Sequence, residues 1–154
     1  MTIRFTTDAA LIARLNEPVQ TLHAKLYPEH FKPYQFEKIR DWFEKVLIQD
    51  EASRFLVTED EEGPCGYAWI QTINQKENPF KKASVFLEVH QFCIASPKRR
   101  KGLGTALMNR ICQYAREQEL NEVILDYWAN NEAAEQFYRH QQFTVYRNVV
   151  HLLI

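Results

Sequence analysis

The chain has 154 residues, of which 45% are hydrophobic and 13% aromatic, and its formal net charge is -1 at pH 7. This length and composition suit one compact domain over residues 1–154 with a single core. A near-neutral charge argues against nucleic acid as a partner, because proteins that bind the phosphate backbone usually carry a marked basic excess. No apolar run approaches the roughly 20 residues of a membrane span, and the first residues do not resemble a signal peptide. We expect a cytoplasmic protein that binds neither nucleic acid nor membrane.

The three cysteines, Cys65, Cys93 and Cys112, are odd in number and lack the spacing of metal ligands. Reduced thiols are typical of a cytosolic protein. We therefore expect no disulfide and no metal site.

The N-terminal third predicts one strand and two helices. Ile3–Phe5 is a short β-forming run, and Asp8 can cap a following helix whose apolar residues recur at three-four spacing. We expect Pro18 to kink or restart this helix. The same spacing predicts a second helix from Phe36 to near Gln49.

The middle of the chain predicts a hairpin, a long strand and a helix. Residues 54–59 and 65–73 are rich in β-formers, and the glycine and proline between them favour a tight reversal. A further strand spans residues 83–94. A helical pattern follows over residues 105–117.

The last part predicts a strand over residues 123–128, a helix capped by Asn130 or Asn131 and ending at His140, and a final bent strand or two short strands over residues 143–154. The resulting order is β-α-α-β-β-β-α-β-α-β. It favours an α/β fold with a mixed, mainly antiparallel central sheet and helices on both faces, in which the crossover places strand 123–128 parallel to strand 83–94.

The run Arg99-Arg100-Lys101-Gly102-Leu103-Gly104 lies between the long strand and its helix. Glycines let the chain turn so that backbone N–H groups converge on an anion, which the positive end of the helix dipole also attracts. Cationic residues 98–101 strengthen that attraction, although a plain solvated helix end is the alternative. A dinucleotide fingerprint is excluded because Leu107 stands at its third small-residue position, and no Gly-Lys-Ser/Thr element of a P-loop occurs.

Two motifs are separated by a helix and a strand. Arg99, Gly102 and Gly104 match the pattern Arg/Gln-x-x-Gly-x-Gly/Ala after the fourth strand. Asn131, Ala134, Tyr138 and Phe143 match the pattern Asn-x-x-Ala-x-x-x-Tyr followed by Gly-Phe. Together these motifs resemble the signatures of the GNAT superfamily of acetyl-CoA-dependent N-acetyltransferases.

The chain departs from these signatures at three places. Pro97 stands one position later than the family's usual proline, and Arg100 replaces a common glycine. Gln142 replaces the glycine before Phe143. Because left-handed backbone costs a residue other than glycine about 1 kcal/mol, we expect strain at the end of that helix.

The resemblance implies acetyl-CoA as the co-substrate and no metal. It places the pyrophosphate on backbone N–H groups of the turn, with side-chain charge beside it, over Arg99, Arg100, Lys101, Gly102, Leu103, Gly104 and Thr105. It further implies that the backbone of Ile94 bonds the pantetheine arm and that Asn131 touches the same arm. A plain helix cap is a compatible role for Asn131.

Amide formation from a thioester needs a neutral amine, so a base must remove a proton from an alkyl ammonium whose pKa is near 10. Glu88 and His90 are the candidates. On a regular strand residues 88, 90, 92 and 94 share a face, so both would point to the side of Ile94 unless a bulge breaks the alternation. Glu88 matches the glutamate base of the family's histone-modifying branch and is preferred, whereas His90 matches the acidic site of its polyamine-acetylating branch.

Tyr138 matches the tyrosine that the family places beside the thioester sulfur. A phenol with a pKa near 10 stays protonated until a thiolate forms, so Tyr138 is the candidate general acid, with core packing as the alternative. Cys93 is a possible covalent nucleophile. We expect instead a small buried hydrophobe, because strand alternation turns Cys93 away from Glu88 and Ile94.

The resemblance places the acceptor pocket between the first two helices, their connector and the last strands, which contribute Tyr27, Phe31, Tyr34, Trp128 and Tyr146. Such rings can flank an amine, and ordinary packing explains them equally well. We expect transfer of an acetyl group to a small-molecule amine by direct attack in a ternary complex. The alternatives are a protein or peptide acetyltransferase and a non-catalytic acyl-CoA sensor.

The apolar C-terminal stretch Val149–Ile154 either completes the sheet or pairs with a second copy of the chain. We expect completion, so the sequence is compatible with a monomer or a homodimer.

Overall fold

The structure is a computed structural model that describes residues 1–154. It contains five strands and four α-helices, which in chain order are β1 (Thr2–Thr6), α1 (Ala9–Leu26), α2 (Phe36–Gln49), β2 (Ser53–Asp60), β3 (Gly63–Gln75), β4 (Ser84–Ile94), α3 (Leu103–Glu117), β5 (Val123–Leu125) and α4 (Glu132–His140). A single 3-10 turn, Ser96–Lys98, lies between β4 and α3.

The strands form one sheet in the order β1-β2-β3-β4-β5. The first four pair antiparallel in a meander, whereas β5 pairs parallel to β4. The predicted mixed, mainly antiparallel α/β sheet is confirmed, as is the parallel crossover through α3.

Each face of the sheet is covered by helices, because alternate strand residues are apolar on both faces. One cluster packs α1 and α2 through Ile12 and Phe43 against Phe55, Val57 and other residues of the sheet. The opposite cluster packs α3 and α4 against the other face, with Leu56, Ile70, Leu87, Val89, Leu107, Ile111 and Tyr138 among its members. Helices on both faces, as predicted, leave the ends of the strands as the accessible part of the sheet.

Helix α1 begins where predicted, since the Asp8 carboxylate accepts a hydrogen bond from the Leu11 N–H at 2.9 Å. It runs continuously through Pro18, so the expected restart is wrong. Proline removes only the hydrogen bond to the carbonyl four residues earlier, that of Arg14. Arg14 is exposed, so solvent can take the place of the missing donor.

A β-bulge interrupts β4 at His90. Trp69 lies opposite Gln91 and Ile70 lies opposite Val89, so His90 has no counterpart in β3. The inserted residue reverses the alternation of faces on its two sides. Residues 88–94 were expected to alternate as in a regular strand, and the bulge corrects that expectation.

The end of the chain differs from the sequence expectation. Strand β5 stops at Leu125 rather than residue 128, because the chain diverges from β4 there. Residues 143–154 form neither the bent strand nor the two short strands expected of them, and residues 144–154 are exposed. Completion of the sheet by this stretch is therefore wrong for the chain taken alone.

No helix in the structure combines the length and the apolar composition needed to cross a bilayer.

Candidate active site

A gap opens between β4 and β5. The two strands pair only where Leu87–Val89 face Val123–Leu125, although β4 continues to Ile94. The N–H of Ala95 donates to the Cys65 carbonyl at 2.8 Å. The neighbouring pair, Gly66 and Ile94, is therefore a non-hydrogen-bonded pair of the antiparallel ladder. The N–H and C=O of Ile94 consequently point away from β3 and into the gap.

One of these two backbone groups already has a partner. The Nε of Arg99 donates to the Ile94 carbonyl at 3.0 Å, which fixes the arginine side chain beside the end of the strand. The Ile94 N–H is left to face the gap, where a ligand amide can pair with it as another strand would. Its pairing with a pantetheine arm stays a prediction.

The turn after β4 leaves the start of helix α3 uncapped. Gly102 is the N-cap in left-handed backbone at φ 79°, and no side chain bonds the first turn, which carries no acidic residue. The first helical hydrogen bond runs from Ala106 N–H to the Gly102 carbonyl. The N–H groups of Leu103, Gly104 and Thr105 therefore lack helical partners and lie at the positive end of the dipole.

Gly104 allows helix α4 to approach this turn. A Cβ placed there would lie 3.2 Å from the Phe137 ring and 3.7 Å from Ile94. Gln141, just beyond α4, also donates to the Thr105 hydroxyl at 3.1 Å. The turn, the end of β4 and α4 thus form one packed unit.

The cationic run divides into two parts. The Nζ of Lys98 lies 2.7 Å from Asp60 and 2.6 Å from Glu62, and hydrogen bonds to these carboxylates raise the pKa of the lysine. The charge of Lys98 is therefore neutralised by the β2–β3 hairpin. The expectation that Lys98 helps to attract an anion is corrected accordingly. Arg100 and Lys101 are exposed, and neither forms an ion pair within the chain. Arg100 adopts left-handed backbone at φ 61°.

Asn131 caps α4, because its side-chain oxygen accepts from the Ala134 N–H at 3.2 Å. The capping role is therefore present. The side-chain amide N–H groups face no acceptor within the chain, so the residue keeps two donors for a ligand.

Tyr138 is buried among Phe92, Tyr127, Phe137 and Phe143, with ring centroids 5.4 to 6.4 Å apart. Burial, with a smaller contribution from the Asp126 charge, raises the pKa of its phenol. Phe92 is also two residues from Ile94, so its backbone groups face the same gap. Tyr138 is thus a protonated donor that packs against the edge of the gap.

Glu88 lies opposite Gln71, and Cys93 lies opposite Tyr67, on the face covered by α1 and α2. Ile94 belongs to the other face, because the bulge at His90 reverses the alternation. The expected shared face of Glu88 and Ile94 is therefore wrong, as is the separation of Cys93 from Glu88. The gap, however, opens toward both faces.

His90 is held by a chain of hydrogen bonds that sequence reasoning missed. Its Nε2 lies 2.6 Å from the Gln71 Oε1, and the Gln71 amide nitrogen donates to the Asp50 Oδ2 at 2.6 Å. Hydrogen bonds, above all from the Ser53 hydroxyl, lower the pKa of Asp50, and an ionised carboxylate can accept but not donate. Gln71 must then present its carbonyl to His90, so in the neutral imidazole Nε2 carries the proton and Nδ1 carries the lone pair.

The His90 ring also packs on Trp69 with centroids 4.6 Å apart. Trp69 in turn donates to the Ser53 hydroxyl at 2.8 Å. No spacing in the sequence links Asp50 with Gln71 and His90, because three separate elements bring them together.

Cys93 is buried, and desolvation raises the pKa of its thiol to about 11. Its prediction as a small buried hydrophobe is supported, since a reactive thiol needs a lowered pKa. No cluster of three or more His, Cys, Asp or Glu side chains with the arrangement of a metal site is present.

Three of the five aromatic residues expected around the acceptor converge. Trp128 packs on Tyr27 and Phe31 with ring centroids 4.5 and 5.0 Å apart, and the Tyr27 hydroxyl accepts from the Asn130 N–H at 2.8 Å. The remaining two are elsewhere. Tyr34 donates to the Ala13 carbonyl, and Tyr146 is 75% exposed in the C-terminal stretch.

A gap lies between the two parallel strands, with the Ile94 N–H at its edge and the uncapped turn of residues 99–104 at its end. This arrangement can hold the amide arm and the diphosphate of an acyl-coenzyme A. The acetyltransferase (GNAT) family model matches residues 16–143. The chain belongs to this family, and membership of the family implies acetyl-CoA as co-substrate.

One curated relative is similar in sequence, and solved structures share the fold. An uncharacterised N-acetyltransferase of Methanocaldococcus jannaschii is 28% identical over 115 residues, which are 71% of this chain and 47% of that protein. The chain thus spans about half the length of that curated relative. The BH1408 protein from Bacillus halodurans, in a tetramutant form, is 23% identical, with a TM-score of 0.92 over 100% of both chains.

Two structures with named activities share the fold. A ribosomal-protein-alanine N-acetyltransferase from Brucella melitensis biovar Abortus 2308 is 18% identical, with a TM-score of 0.67 over 99% of this chain and 97% of that one. An aminoglycoside acetyltransferase from an uncultured soil metagenomic sample, in complex with sisomicin, is 16% identical, with a TM-score of 0.65 over 99% and 94%.

Proposed function

We propose that the protein transfers the acetyl group of acetyl-CoA to the primary amine of a small molecule, by direct attack in a ternary complex. The observation that carries this proposal is the gap between β4 and β5, with the Ile94 N–H at its edge and the uncapped α3 at its end. Acetyl-CoA, when bound, supplies the acetyl group as an activated thioester.

The residues present fit that co-substrate. The N–H groups of Leu103, Gly104 and Thr105 offer donors to a diphosphate, and Arg100 and Lys101 supply charge without a competing carboxylate. Arg99 reaches the same place while holding the Ile94 carbonyl. The Ile94 N–H and the Asn131 amide then lie along the path of an arm that leaves the turn and enters the gap.

The acceptor amine approaches from the face covered by α1 and α2, where Glu88 and His90 both lie. We infer that His90 is the base, because the hydrogen-bond chain from Asp50 through Gln71 leaves its Nδ1 free to accept a proton. Its side chain is exposed, so an incoming amine or one ordered water can reach it. Glu88 has the position that the sequence favoured, but it makes no hydrogen bond that would orient it. Glu88 is therefore the second candidate for the base.

Tyr138 acts from the opposite side of the gap. Its raised pKa keeps the phenol protonated, so it can donate to the sulfur as charge develops there. The two proton transfers thus occur at opposite sides of one opening in the sheet, with His90 accepting and Tyr138 donating.

The small extent of the aromatic surface beside the gap supports a small amine as acceptor. Tyr27, Phe31 and Trp128 form a compact aromatic surface that can bind an ammonium group or a ring. A peptide acceptor and a non-catalytic acyl-CoA sensor are the outcomes against which the proposal is tested.

The test combines calorimetry with free-thiol detection on the purified protein. We expect acetyl-CoA to bind with about micromolar affinity and to release thiol with at least one small amine from a panel of polyamines, aminoglycosides and alkylamines. Peptides with a free N-terminus are assayed in parallel. Thiol release with these peptides alone would show that the acceptor is a peptide and not a small molecule. Binding without thiol release on any acceptor would favour the sensor, and no binding at all would refute the proposal.

A further inference from the structure

Five side chains form a closed network around His90, which we call the His90 network. The Asp50 carboxylate accepts from the Gln71 amide at 2.6 Å and from the Ser53 hydroxyl at 2.6 Å. Ser53 in turn accepts from the Trp69 indole at 2.8 Å. The network closes at His90, whose Nε2 lies 2.6 Å from the Gln71 oxygen and whose ring packs on Trp69 with centroids 4.6 Å apart. His90 is therefore held both at Nε2 and by its packing on Trp69.

Three strands and the end of helix α2 bring these residues together. Asp50 is the C-cap of α2, and Ser53 begins β2 directly opposite Gln71 on β3. Trp69 and Gln71 are two residues apart on β3, so their side chains share a face. His90 is the bulged residue of β4 with no counterpart in β3, and it lies against both of them. The network thus links the end of α2 to the bulge beside the gap.

Two donors that cannot reverse fix the direction of the hydrogen bonds in the network. The Ala52 N–H is part of the backbone and donates to Asp50 Oδ1 at 3.0 Å, and the Trp69 indole N–H can only donate. Ser53 therefore accepts from Trp69 and donates its one proton to Asp50 Oδ2. The same oxygen accepts an N–H of Gln71, so the Gln71 carbonyl is turned the other way, toward the imidazole.

The surroundings of Asp50 support a charged carboxylate. Its hydrogen bonds, above all that from the Ser53 hydroxyl, outweigh its partial burial and lower its pKa. No lysine, arginine or histidine forms an ion pair with it. The charge is therefore satisfied by neutral donors alone, and the Gln71 amide is one of them.

We propose that Asp50 is a positioning residue, whose negative charge selects the nitrogen of His90 that takes the proton of the acceptor amine. The carboxylate accepts from the Gln71 amide, the Gln71 carbonyl accepts from the His90 Nε2–H, and Nδ1 is left as the ring nitrogen with a lone pair. No hydrogen bond joins Asp50 to His90 directly, so the Gln71 amide transmits the effect. The role in proton transfer rests on the proposed function, whereas the selection of the tautomer does not.

Asp50→Asn is expected to reverse the network. The new amide has a single oxygen, which the Ala52 N–H requires at the Oδ1 position. Its NH2 then takes the place of Oδ2 and donates to the Gln71 oxygen, so that Gln71 turns its own NH2 to His90. Nε2 now accepts, the proton moves to Nδ1, and Nδ1 can no longer act as the base. Because His90 is exposed, water can carry the proton from one nitrogen to the other.

Two further variants and a control complete the set. Gln71→Met removes both polar atoms of the amide and keeps its length, so neither nitrogen of His90 is favoured. Asp50→Asn combined with Gln71→Glu keeps the net charge and restores the direction, because the new NH2 donates to the new carboxylate and that carboxylate accepts from the Nε2–H. The matched control is Asp41→Asn, which removes a carboxylate that pairs with Arg40 at 2.7 Å on α2, outside the network.

The first test reads the tautomer by nitrogen NMR on protein with isotope-labelled histidine, in alkaline buffer where the imidazole is neutral. A ring nitrogen without a proton resonates far downfield of one that carries it. The chain has five histidines, so the spectrum of His90→Gln identifies the signals of His90. We expect the proton on Nε2 in the unaltered protein, the control and the double variant, on Nδ1 in Asp50→Asn, and shared in Gln71→Met. A proton that stays on one nitrogen in every variant would overturn the proposal.

The second test is steady-state kinetics with an amine that releases thiol. We expect Asp50→Asn to lower kcat by about tenfold or more, while the Kd for acetyl-CoA changes less than about twofold. The double variant should recover kcat to within about threefold of the unaltered protein, and Asp41→Asn should match the unaltered protein. Moving the carboxylate to position 71 does not restore a purely structural contact, so a double variant as slow as Asp50→Asn would contradict the proposal.

The two tests separate this inference from the proposed function. A reversed tautomer in Asp50→Asn with unchanged kcat would refute His90 as the base, and with it the role of Asp50 in proton transfer. An unchanged tautomer with a lowered kcat would show that Asp50 acts on the fold alone. If no acceptor releases thiol from acetyl-CoA, the proposed function fails, while the NMR spectra still decide whether Asp50 selects the tautomer. Far-UV circular dichroism shows for each variant whether the fold is intact.

Discussion

The end of helix α4 contains a strained residue, Gln142, whose effect on the free energy of unfolding can be measured. Gln142 has φ 65°, and it closes the helix in the arrangement usually made by glycine, with hydrogen bonds from Gln142 to Arg139 and from Phe143 to Tyr138. Left-handed backbone costs a residue with a Cβ roughly 1–2 kcal/mol. Glycine gives up about 0.5–1 kcal/mol more conformational entropy on folding, so Gln142→Gly is expected to stabilise the protein by about 0.5–1 kcal/mol.

The end of helix α3 repeats the same geometry away from the site. Glu119 has φ 58°, and Leu120 bonds the Ala115 carbonyl as Phe143 bonds that of Tyr138. Glu119→Gly is therefore expected to match the gain of Gln142→Gly. Gln118 is the control, because its φ of -94° gives glycine no advantage and Gln118→Gly should lower stability.

Urea unfolding followed by circular dichroism measures all three variants. We expect higher midpoints for the two left-handed positions and a melting temperature raised by roughly 1–4 °C each. Midpoints that stay unchanged or fall at both Gln142 and Glu119 would show that the strain is absent.

Four further predictions concern the site. His90→Gln is expected to lower kcat by about 100-fold or more with little change in acetyl-CoA affinity, whereas Glu88→Gln should cost only a few-fold; the reverse order would make Glu88 the base. Tyr138→Phe should lower kcat by more than it weakens acetyl-CoA binding, and unchanged turnover would remove Tyr138 from the mechanism. Arg99→Met should weaken acetyl-CoA binding by about tenfold, but Lys98→Met by much less, because Lys98 pairs with Asp60 and Glu62; calorimetry showing equal losses would contradict this division. Finally, burial raises the pKa of Cys93 to about 11, while the unfolded thiol ionises near pH 8.5, so the unfolded state loses this proton first. The free energy of unfolding should therefore fall as pH rises from about 8.5 to 11, with roughly 3 kcal/mol of the fall due to Cys93. Urea titrations should show a shallower fall for Cys93→Ala, and an identical slope would contradict the assignment.

The order of elements could be read from the sequence because each one is locally encoded. Apolar spacing of three and four residues marks α2, with bounds that match the structure, and the Asp8 cap marks the start of α1. The turn of residues 99–104 was also predictable, since Gly102 and Gly104 follow a long strand and precede a helix.

The features that the sequence did not show depend on contacts between distant elements. The bulge at His90 turns Gln91 toward α1, where its side-chain oxygen accepts a hydrogen bond from the Tyr67 hydroxyl. The Asn16 amide in turn donates to that hydroxyl. No local sequence pattern predicts these contacts. The same holds for the link from Asp50 to His90, and for Lys98, whose partners lie in another hairpin. Residues 144–154 were predicted as strand from their apolar pattern, but a strand forms only where a neighbouring strand pairs with it, and no local pattern records that partner.

The ion pairs of Lys98 with Asp60 and Glu62 affect the affinity of the turn for a ligand. It joins the residues just before the anion turn to the tip of the β2–β3 hairpin, so the turn is already ordered when the protein has folded. A preorganised turn loses little conformational entropy when a diphosphate arrives, and more of the contact energy then appears as affinity. The acidic hairpin tip repels anions by its charge, but it also favours anion binding because it fixes the conformation of the turn of residues 99–104.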